Sequence, residues 1–160
     1  MDKIKELQKK YNLSKDDFWN LTGNIWIIKH DAVERIAKIE NVIFENPTII
    51  NSDRDYCHLF GTASIIKEGR KVKDDWSFGE ADLKLNCKNK YVFAMAMKRL
   101  RDRLTLSLID AYEYGIYSDT EADDFKKKSV AAKPTQSLPL NKSGNSWSKN
   151  QVQGKVEELI

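Results

Sequence analysis

Residues 79–109 constrain the fold of this 160-residue chain more than any other segment. A polar, lysine-bearing loop leads there into a long stretch in which apolar residues recur at helical spacing. Asn89 is a suitable N-cap, so we predict a helix from there to about residue 112. The stripe that faces the core consists of Phe93, Ala96, Met97, Leu100, Leu104 and Ser107. A helix with one such stripe is expected to pack it against a sheet.

The sheet is predicted from the residues that precede this helix. Residues 56–67 and 71–79 are rich in β-forming side chains and flank a tight turn at residues 68–70, which indicates a long hairpin. Shorter strand pieces are expected at residues 42–44 and 48–51. The predicted fold class is therefore α+β: an antiparallel β-meander or hairpin packed against one long helix, a β-β-β-α core with N-terminal helices.

Composition divides the chain into three parts. Residues 1–21 have helical apolar spacing and predict an N-terminal helical segment, and residues 22–125 form the α+β domain. A capping box at residues 118–121 predicts a short acidic helix through residue 125. Residues 126–160 hold two prolines, many Ser, Asn and Lys residues and no apolar period, which predicts a disordered basic tail.

Several classes of site are disfavoured by the composition. No run of about 18 apolar residues occurs, so we expect no membrane partner and a cytoplasmic location, which is the host cytoplasm if a phage encodes the protein. Cys57 and Cys87 are 30 residues apart, and His30 and His58 are isolated, so no metal site is expected. We assign no cofactor and no catalytic residue.

Charge is distributed unevenly along the chain. The net charge is only +3, yet residues 67–103 hold 11 Lys and Arg against 6 Asp and Glu. Residues 126–160 hold 7 against 2. Clustered charge of this kind, rather than total charge, makes a surface that attracts a polyanion.

The basic cluster offers a set of candidate DNA-binding residues. Lysines lie beside the expected N-terminus of the long helix, where free backbone N–H groups favour phosphate oxygens. Aromatic residues in the hairpin add surfaces on which unpaired bases stack. The candidates are Arg70, Lys71, Lys73, Trp76, Lys84, Lys88, Lys90, Lys98, Arg99, Arg101 and Arg103.

A second apolar patch on the long helix lies away from the stripe that faces the sheet. It consists of Met95, Leu106 and Ile109. An interface with a neighbouring subunit would explain it, and a larger core within one chain would explain it equally well. We assign these three residues to an oligomer interface.

The order of several motifs resembles a family of phage and prophage proteins, the single-strand annealing recombinases of the Sak/Erf kind, which are relatives of the eukaryotic Rad-type annealing protein. The resemblance covers residues 26–125. The matching segments are WIIKHDAVERIAKIENVIFENPTII, a short hairpin, W-S-x-G-E-A, N-x-K-N-x-Y, A-M-A-x-K-R-x-x-D-R-L and Y-S-D-T-E-A-D-D-F. In one respect the chain departs from the eukaryotic relatives, which carry their main basic pair nearer the helix C-terminus, where Thr105 and Leu106 stand here.

This resemblance implies a function and its partners. Proteins of this kind assemble into rings or filaments, hold single-stranded DNA by its backbone along a basic groove and anneal complementary strands without ATP. The expected role is phage-type homologous recombination and DNA repair. A single-strand binding protein or an exonuclease is a further partner to consider.

Two other functions remain open at this stage. Asp82 and Lys84, with Asp74 or Asp75, mimic part of a metal-dependent nuclease site in which carboxylates hold Mg²⁺. Alternatively, the protein is a passive single-strand binder or a partner-docking module. The acidic and apolar residues 156–160 are the segment that would dock on another protein.

Overall fold

A long antiparallel hairpin forms the centre of the fold in the computed structural model, which describes residues 2–122. The strands are β1 (Phe18–Thr22), β2 (Ile25–Ile28), β3 (Val42–Phe44), β4 (Thr48–Ser52), β5 (Tyr56–Lys67), β6 (Arg70–Asp82) and β7 (Ile116–Ser118). The α-helices are α1 (Asp2–Tyr11), α2 (His30–Ile39) and α3 (Val92–Leu108), and short 3₁₀ turns cover Lys15–Asp17 and Ala111–Tyr114. The predicted α+β class is confirmed.

The hairpin is formed by β5 and β6 as the sequence predicts. Lys67 pairs with Arg70 across a two-residue turn in which Glu68 and Gly69 both have positive φ, at 51° and 73°. Such turns match the right-handed twist of the strands they join. On the other side of β5, β3 and β4 pair with it one after the other, both antiparallel.

The helix α3 packs on one face of this hairpin. Alternate residues of β5 and β6 point towards it and are buried with its stripe, in a core that includes Leu59, Ala63, Ala81, Ala96, Leu100 and Leu104. The helix comes closest at Gly79, where a Cβ atom would lie 2.3 Å from the carbonyl oxygen of Ala96. The position of α3, and of every side chain on it, depends on this close contact.

A second, smaller sheet has the order β1-β2-β7, with β2 antiparallel to β1 and parallel to β7. It adjoins a second core that also receives α1 and α2. That core includes Leu7, Tyr11, Phe18, Ile28, Val33, Ile36, Leu106 and Ile116. The helix α3 therefore contributes to both cores: Leu104 and Leu108 belong to the first and Leu106 to the second.

The N-terminal segment differs from the prediction. Ser14 does form the predicted capping contact, its backbone N–H donating to Asp17 Oδ2 at 2.8 Å, but only a 3₁₀ turn follows. Residues 18–21, which we assigned to a helical segment, lie in a strand because they pair with Ile25–Ile28. Pairing between neighbouring strands overrides weak local propensity here.

The boundaries of the long helix also shift. It begins at Val92 rather than beside Asn89, whose side-chain oxygen accepts a hydrogen bond from the Tyr91 backbone at 2.9 Å. It ends at Leu108, and Asp110 follows in a left-handed conformation with φ 58°.

Part of the C-terminal prediction is outside the described residues. Residues 119–122 are helical, at the place where the capping box predicts a helix, and the Thr120 backbone N–H donates to Ser118 Oγ at 3.1 Å. The end of that helix at residue 125 and the predicted tail of residues 126–160 are not described. Among residues 2–122, no helix has the length and apolar character needed to cross a membrane.

Candidate nucleic-acid interface

Exposed cations and exposed rings occur together in the first half of α3 and in the loop before it. Tyr91 is 75% exposed and Phe93 is 50% exposed, which is unusual for rings of this size. The prediction that Phe93 faces the core is therefore wrong. We name this surface the basic stripe; it consists of Lys84, Lys88, Lys90, Tyr91, Phe93, Lys98 and Arg101. Its five cations are exposed, and none of them forms an ion pair with another residue in 2–122.

Hydrogen bonds from side chains to the backbone stabilise the loop before α3. Asp82 Oδ1 accepts the Lys84 backbone N–H at 2.8 Å, and Asn86 Oδ1 accepts the Asp82 backbone N–H at 2.8 Å. Cys87 is buried in the main core. Because these groups fix the loop backbone, its lysine side chains are left in solvent, where they can meet a ligand.

The N-terminus of α3 is electrostatically uncompensated. No side chain caps it, and its first turn contains no acidic residue. A helix of this length carries a partial positive charge at that end, with backbone N–H groups that have no partner inside the helix. Phosphate is the usual ligand of such an end, and Lys88 and Lys90 lie just before it.

Arg99 is not part of this interface, so its assignment to DNA binding is wrong. Its side chain is buried, with 1% of the residue exposed. The guanidinium donates hydrogen bonds to the backbone carbonyls of Glu80, Asn86 and Thr120. Arg99 therefore joins three segments through hydrogen bonds: β6, the loop before α3 and the helical residues 119–122.

Arg103 is also directed inwards, and its DNA-binding assignment is wrong for the same reason. Both Glu80 carboxylate oxygens accept from it at 2.7 Å, Glu121 Oε1 at 2.8 Å and the Phe78 carbonyl at 2.8 Å. Burial alone would lower the pKa of Arg103, but the hydrogen bonds and charges of the two glutamates raise it above its ordinary value. A charge matched by two carboxylates is not free to bind phosphate.

The hairpin cations lie elsewhere on the molecule. Lys73 Nζ contacts Asp110 at 2.7 Å and Lys71 Nζ contacts Asp74 at 3.7 Å, whereas Arg70 is exposed without an ion pair among residues 2–122. They are near the turn end of β6, and the loop before α3 follows its other end, roughly 40 Å away for a strand of this length. The structure therefore does not bring the two predicted groups together.

Trp76 is partly buried in an aromatic cluster on the face of the hairpin opposite α3. Its ring centroid lies 5.9 Å from that of Phe60 and 5.7 Å from that of Phe78. The three rings pack against one another at distances typical of aromatic pairs. Trp76 is thus not a member of the basic stripe.

The assignment of Leu106 to an oligomer interface is wrong, because this residue has no exposed surface and belongs to the second core. The alternative explanation, a larger core within the chain, accounts for it. Met95 packs against the first core and Ile109 against the second, and both are partly exposed. Their assignment to an interface stays a prediction.

The carboxylates of the nuclease hypothesis are not assembled into a site. Asp75 and Asp82 are seven residues apart on one strand, which corresponds to roughly 23 Å. Asp75 accepts a hydrogen bond from Ser107, and Asp82 shapes the loop as described. Within residues 2–122, no cluster of three His, Cys, Asp or Glu residues is arranged to hold a metal ion.

One buried polar network was missed by the sequence reasoning, which treated His30 as isolated. His30 Nδ1 lies 2.7 Å from Asp102 Oδ1, and Ser118 Oγ donates to the other carboxylate oxygen. The His30 backbone N–H donates to Asp119 Oδ1 at 3.0 Å. The network joins the start of α2, the middle of α3 and the end of β7. A pairing across 72 residues leaves no local signal in the sequence.

Stability is expected to fall as the pH rises above 6.5 and through the raised pKa of His30. The hydrogen bond to Asp102 raises the pKa of His30 above its ordinary value of 6.5, and the charge of Glu34 acts in the same direction. The stabilisation is fully present below the ordinary pKa and is lost as the pH rises through the raised pKa of the folded state. Urea unfolding across this range measures the effect.

The variant His30→Gln is the control for this prediction, because it keeps a polar side chain but removes the titration. We expect its free energy of unfolding to vary less over the same pH range. If the free energy of unfolding of the variant varied with pH as strongly as that of the wild type, groups other than His30 would cause the pH dependence.

The basic stripe therefore combines exposed cations with exposed rings. Comparison with protein-family models finds none that matches the chain. Comparison with curated proteins likewise finds no match.

Proposed function

We propose that this protein binds single-stranded DNA along the basic stripe, independently of base sequence, and anneals complementary strands without ATP. The observation that carries the proposal is the combination of five exposed cations that lack ion pairs among residues 2–122 with two exposed rings, Tyr91 and Phe93. Cations neutralise the phosphates and release counterions. Rings stack on unpaired bases of any identity, which a double strand does not offer.

The loop lysines and the helix N-terminus act together in this proposal. A phosphate at the start of α3 accepts backbone N–H groups, while Lys88 and Lys90 supply full positive charges. Lys98 and Arg101 continue the contact along the helix. This division leaves Arg99 and Arg103 as the residues that hold the stripe in place.

Assembly into a ring or filament belongs to the same proposal. Holding one strand extended over several copies would present its bases to a complementary strand. The aromatic cluster of Phe60, Trp76 and Phe78 is the surface that we assign to contact between copies, because the rings are partly exposed on the face opposite α3. An apolar cluster that stays partly exposed is a candidate interaction site.

The triple variant Lys88→Ala, Lys90→Ala, Lys98→Ala should weaken binding to a single-stranded oligonucleotide and make it less sensitive to salt. Each phosphate contact contributes about 0.7 to the slope of log K against log salt, so three lost contacts should flatten that slope by about 2. Fluorescence anisotropy over a range of salt concentrations measures both quantities.

A matched control removes the same charge from another surface. Lys5, Lys9 and Lys15 are exposed and lie in the N-terminal segment. Their triple alanine variant should keep nearly the full slope of log K against log salt, because it removes no direct phosphate contact. It reduces only the long-range attraction between the protein and the DNA. Equal effects of the two triples would mean that the stripe is not the binding surface.

An annealing assay with complementary oligonucleotides separates an annealing protein from a passive single-strand binder. It is run without ATP and beside a native-mass measurement of the same preparation. We expect annealing above the spontaneous rate together with a mass of several chains. A monomer that binds single strands but does not anneal them would reduce the function to passive binding.

A further inference from the structure

A cleft of about 340 Å³ lies between α2 and α3, beside β3. Its inner surface is mixed: Val33, Ala37 and Val42 contribute aliphatic side chains, and the buried residues Asp102 and Thr105 contribute polar ones. Lys38 on α2 and Arg101 on α3 line it as well, and both side chains are exposed. The volume is in the range of pockets that take small organic groups.

Arg101 is stacked on an aromatic ring at the edge of this cleft. Its guanidinium carbon lies 5.2 Å from the centroid of Phe44. The same two residues also line a neighbouring cavity of about 130 Å³, so they stand between the two spaces. A planar guanidinium supported by a ring is a surface on which a nucleobase stacks.

The charges at the opening of the cleft favour a phosphate group there. Of its two carboxylates, Asp102 accepts hydrogen bonds from Ser118 and Thr120 and contacts His30. The other, Glu34, is 3.2 Å from His30 Nε2. Neither Lys38 nor Arg101 has an ion pair within residues 2–122, so positive charge is unmatched on both sides of the opening.

The cleft is continuous with the basic stripe, since Arg101 belongs to both. Lys98 lies one turn before it on α3, close enough to His30 for its charge to lower the pKa of that imidazole. A DNA strand bound along the basic stripe on α3 would therefore reach the opening of the cleft.

We propose that one base of the bound strand unstacks, enters the cleft and stacks on the Arg101 guanidinium, while its phosphates lie between Lys38 and Lys98. This inference rests on the proposed function and goes beyond it by naming a nucleobase as the ligand of the cleft. Stacking on a guanidinium does not depend on the identity of the base, so the site accepts any base. The stacked base adds a contact to the DNA beyond those made to its phosphates.

The test compares two single strands of equal length in an anisotropy titration with the full-length protein. One is oligo-dT and the other carries abasic tetrahydrofuran units, which keep the phosphates and lack the bases. Arg101→Lys keeps the positive charge but removes the planar surface. It should lower the affinity for oligo-dT about tenfold and leave the affinity for the abasic strand unchanged.

Phe44→Leu removes the ring beneath the guanidinium and should act in the same direction. Ile39→Ala is the matched control, since Ile39 is exposed on α2 and does not line the cleft. It should change neither affinity. Because Arg101 is exposed, Arg101→Lys is expected to fold normally and carries the test even if Phe44→Leu unfolds.

Each result decides the proposal. Loss of oligo-dT affinity alone supports stacking in the cleft. An equal loss for both strands in Arg101→Lys, or no loss for either, overturns it and leaves the basic stripe as a phosphate-binding surface. If the wild-type protein binds neither strand, the proposed function fails as well, and the two failures are thus distinguishable.

Discussion

Replacing Arg99 with alanine is expected to lower the free energy of unfolding by about 4 kcal/mol. The side chain is buried and donates to three backbone carbonyls, those of Glu80, Asn86 and Thr120. Alanine would leave these acceptors without their donors and open a cavity as well. Each buried acceptor that loses its partner costs about 1–3 kcal/mol.

The neighbouring variant Lys98→Ala is the control, because it removes the same charge from an exposed position. It should change stability by no more than about 0.5 kcal/mol while weakening binding to single strands. Urea unfolding of both variants, with far-UV circular dichroism as the signal, measures the difference. Similar stability losses in the two would show that Arg99 does not hold the loop and β6 together.

Replacing Gly79 with alanine should cost about 3 kcal/mol by forcing α3 away from the hairpin. The new Cβ would lie 2.3 Å from the Ala96 carbonyl oxygen and 2.7 Å from Leu100 Cβ. Both are parts of the helix that cannot rotate aside, so the whole helix must move. Thermal and urea unfolding measure the loss.

Gly69→Ala separates this steric effect from the general cost of losing a glycine. A Cβ at Gly69 would meet open space, and only its positive φ of 73° opposes the change, at a cost of about 1 kcal/mol. A loss for Gly79→Ala no larger than that for Gly69→Ala would contradict the close packing of α3. We also expect Gly79→Ala to weaken DNA binding, because the basic stripe is carried by the displaced helix.

Two of the four cations of α3, Arg99 and Arg103, are directed inwards, whereas Lys98 and Arg101 are exposed. Arg99 and Arg103 are four residues apart and lie on the flank of the helix next to β6. Among the strands of residues 2–122, β6 pairs only with β5, so its outer edge would be open to another strand. The two arginines donate to the Phe78 and Glu80 carbonyls, which removes acceptors that a foreign strand would use.

Local pattern in the sequence was enough for the framework of the fold. Alternating β-forming residues around residues 68–70 predicted the hairpin, and apolar spacing predicted the long helix that packs on it. These features depend on the 2- and 3.6-residue periods of strand and helix, which neighbouring residues express by themselves. Where pairing with another strand decides, as for residues 18–22, which pair with residues 25–28, the prediction failed.

Local pattern was also insufficient to predict which charged residues of α3 are buried and which are exposed. Composition and helical spacing were enough to predict that this helix and its loop carry an excess of cations, and that one stripe of the helix faces a sheet. Three further features depend on the folded chain: Arg99 is buried and Arg103 is directed inwards, Leu106 belongs to a second core, and Lys98 and Arg101 remain exposed. They could not be predicted because a charge is buried only where acceptors are brought to it from elsewhere in the chain, here from β6, the loop before α3 and residues 119–122.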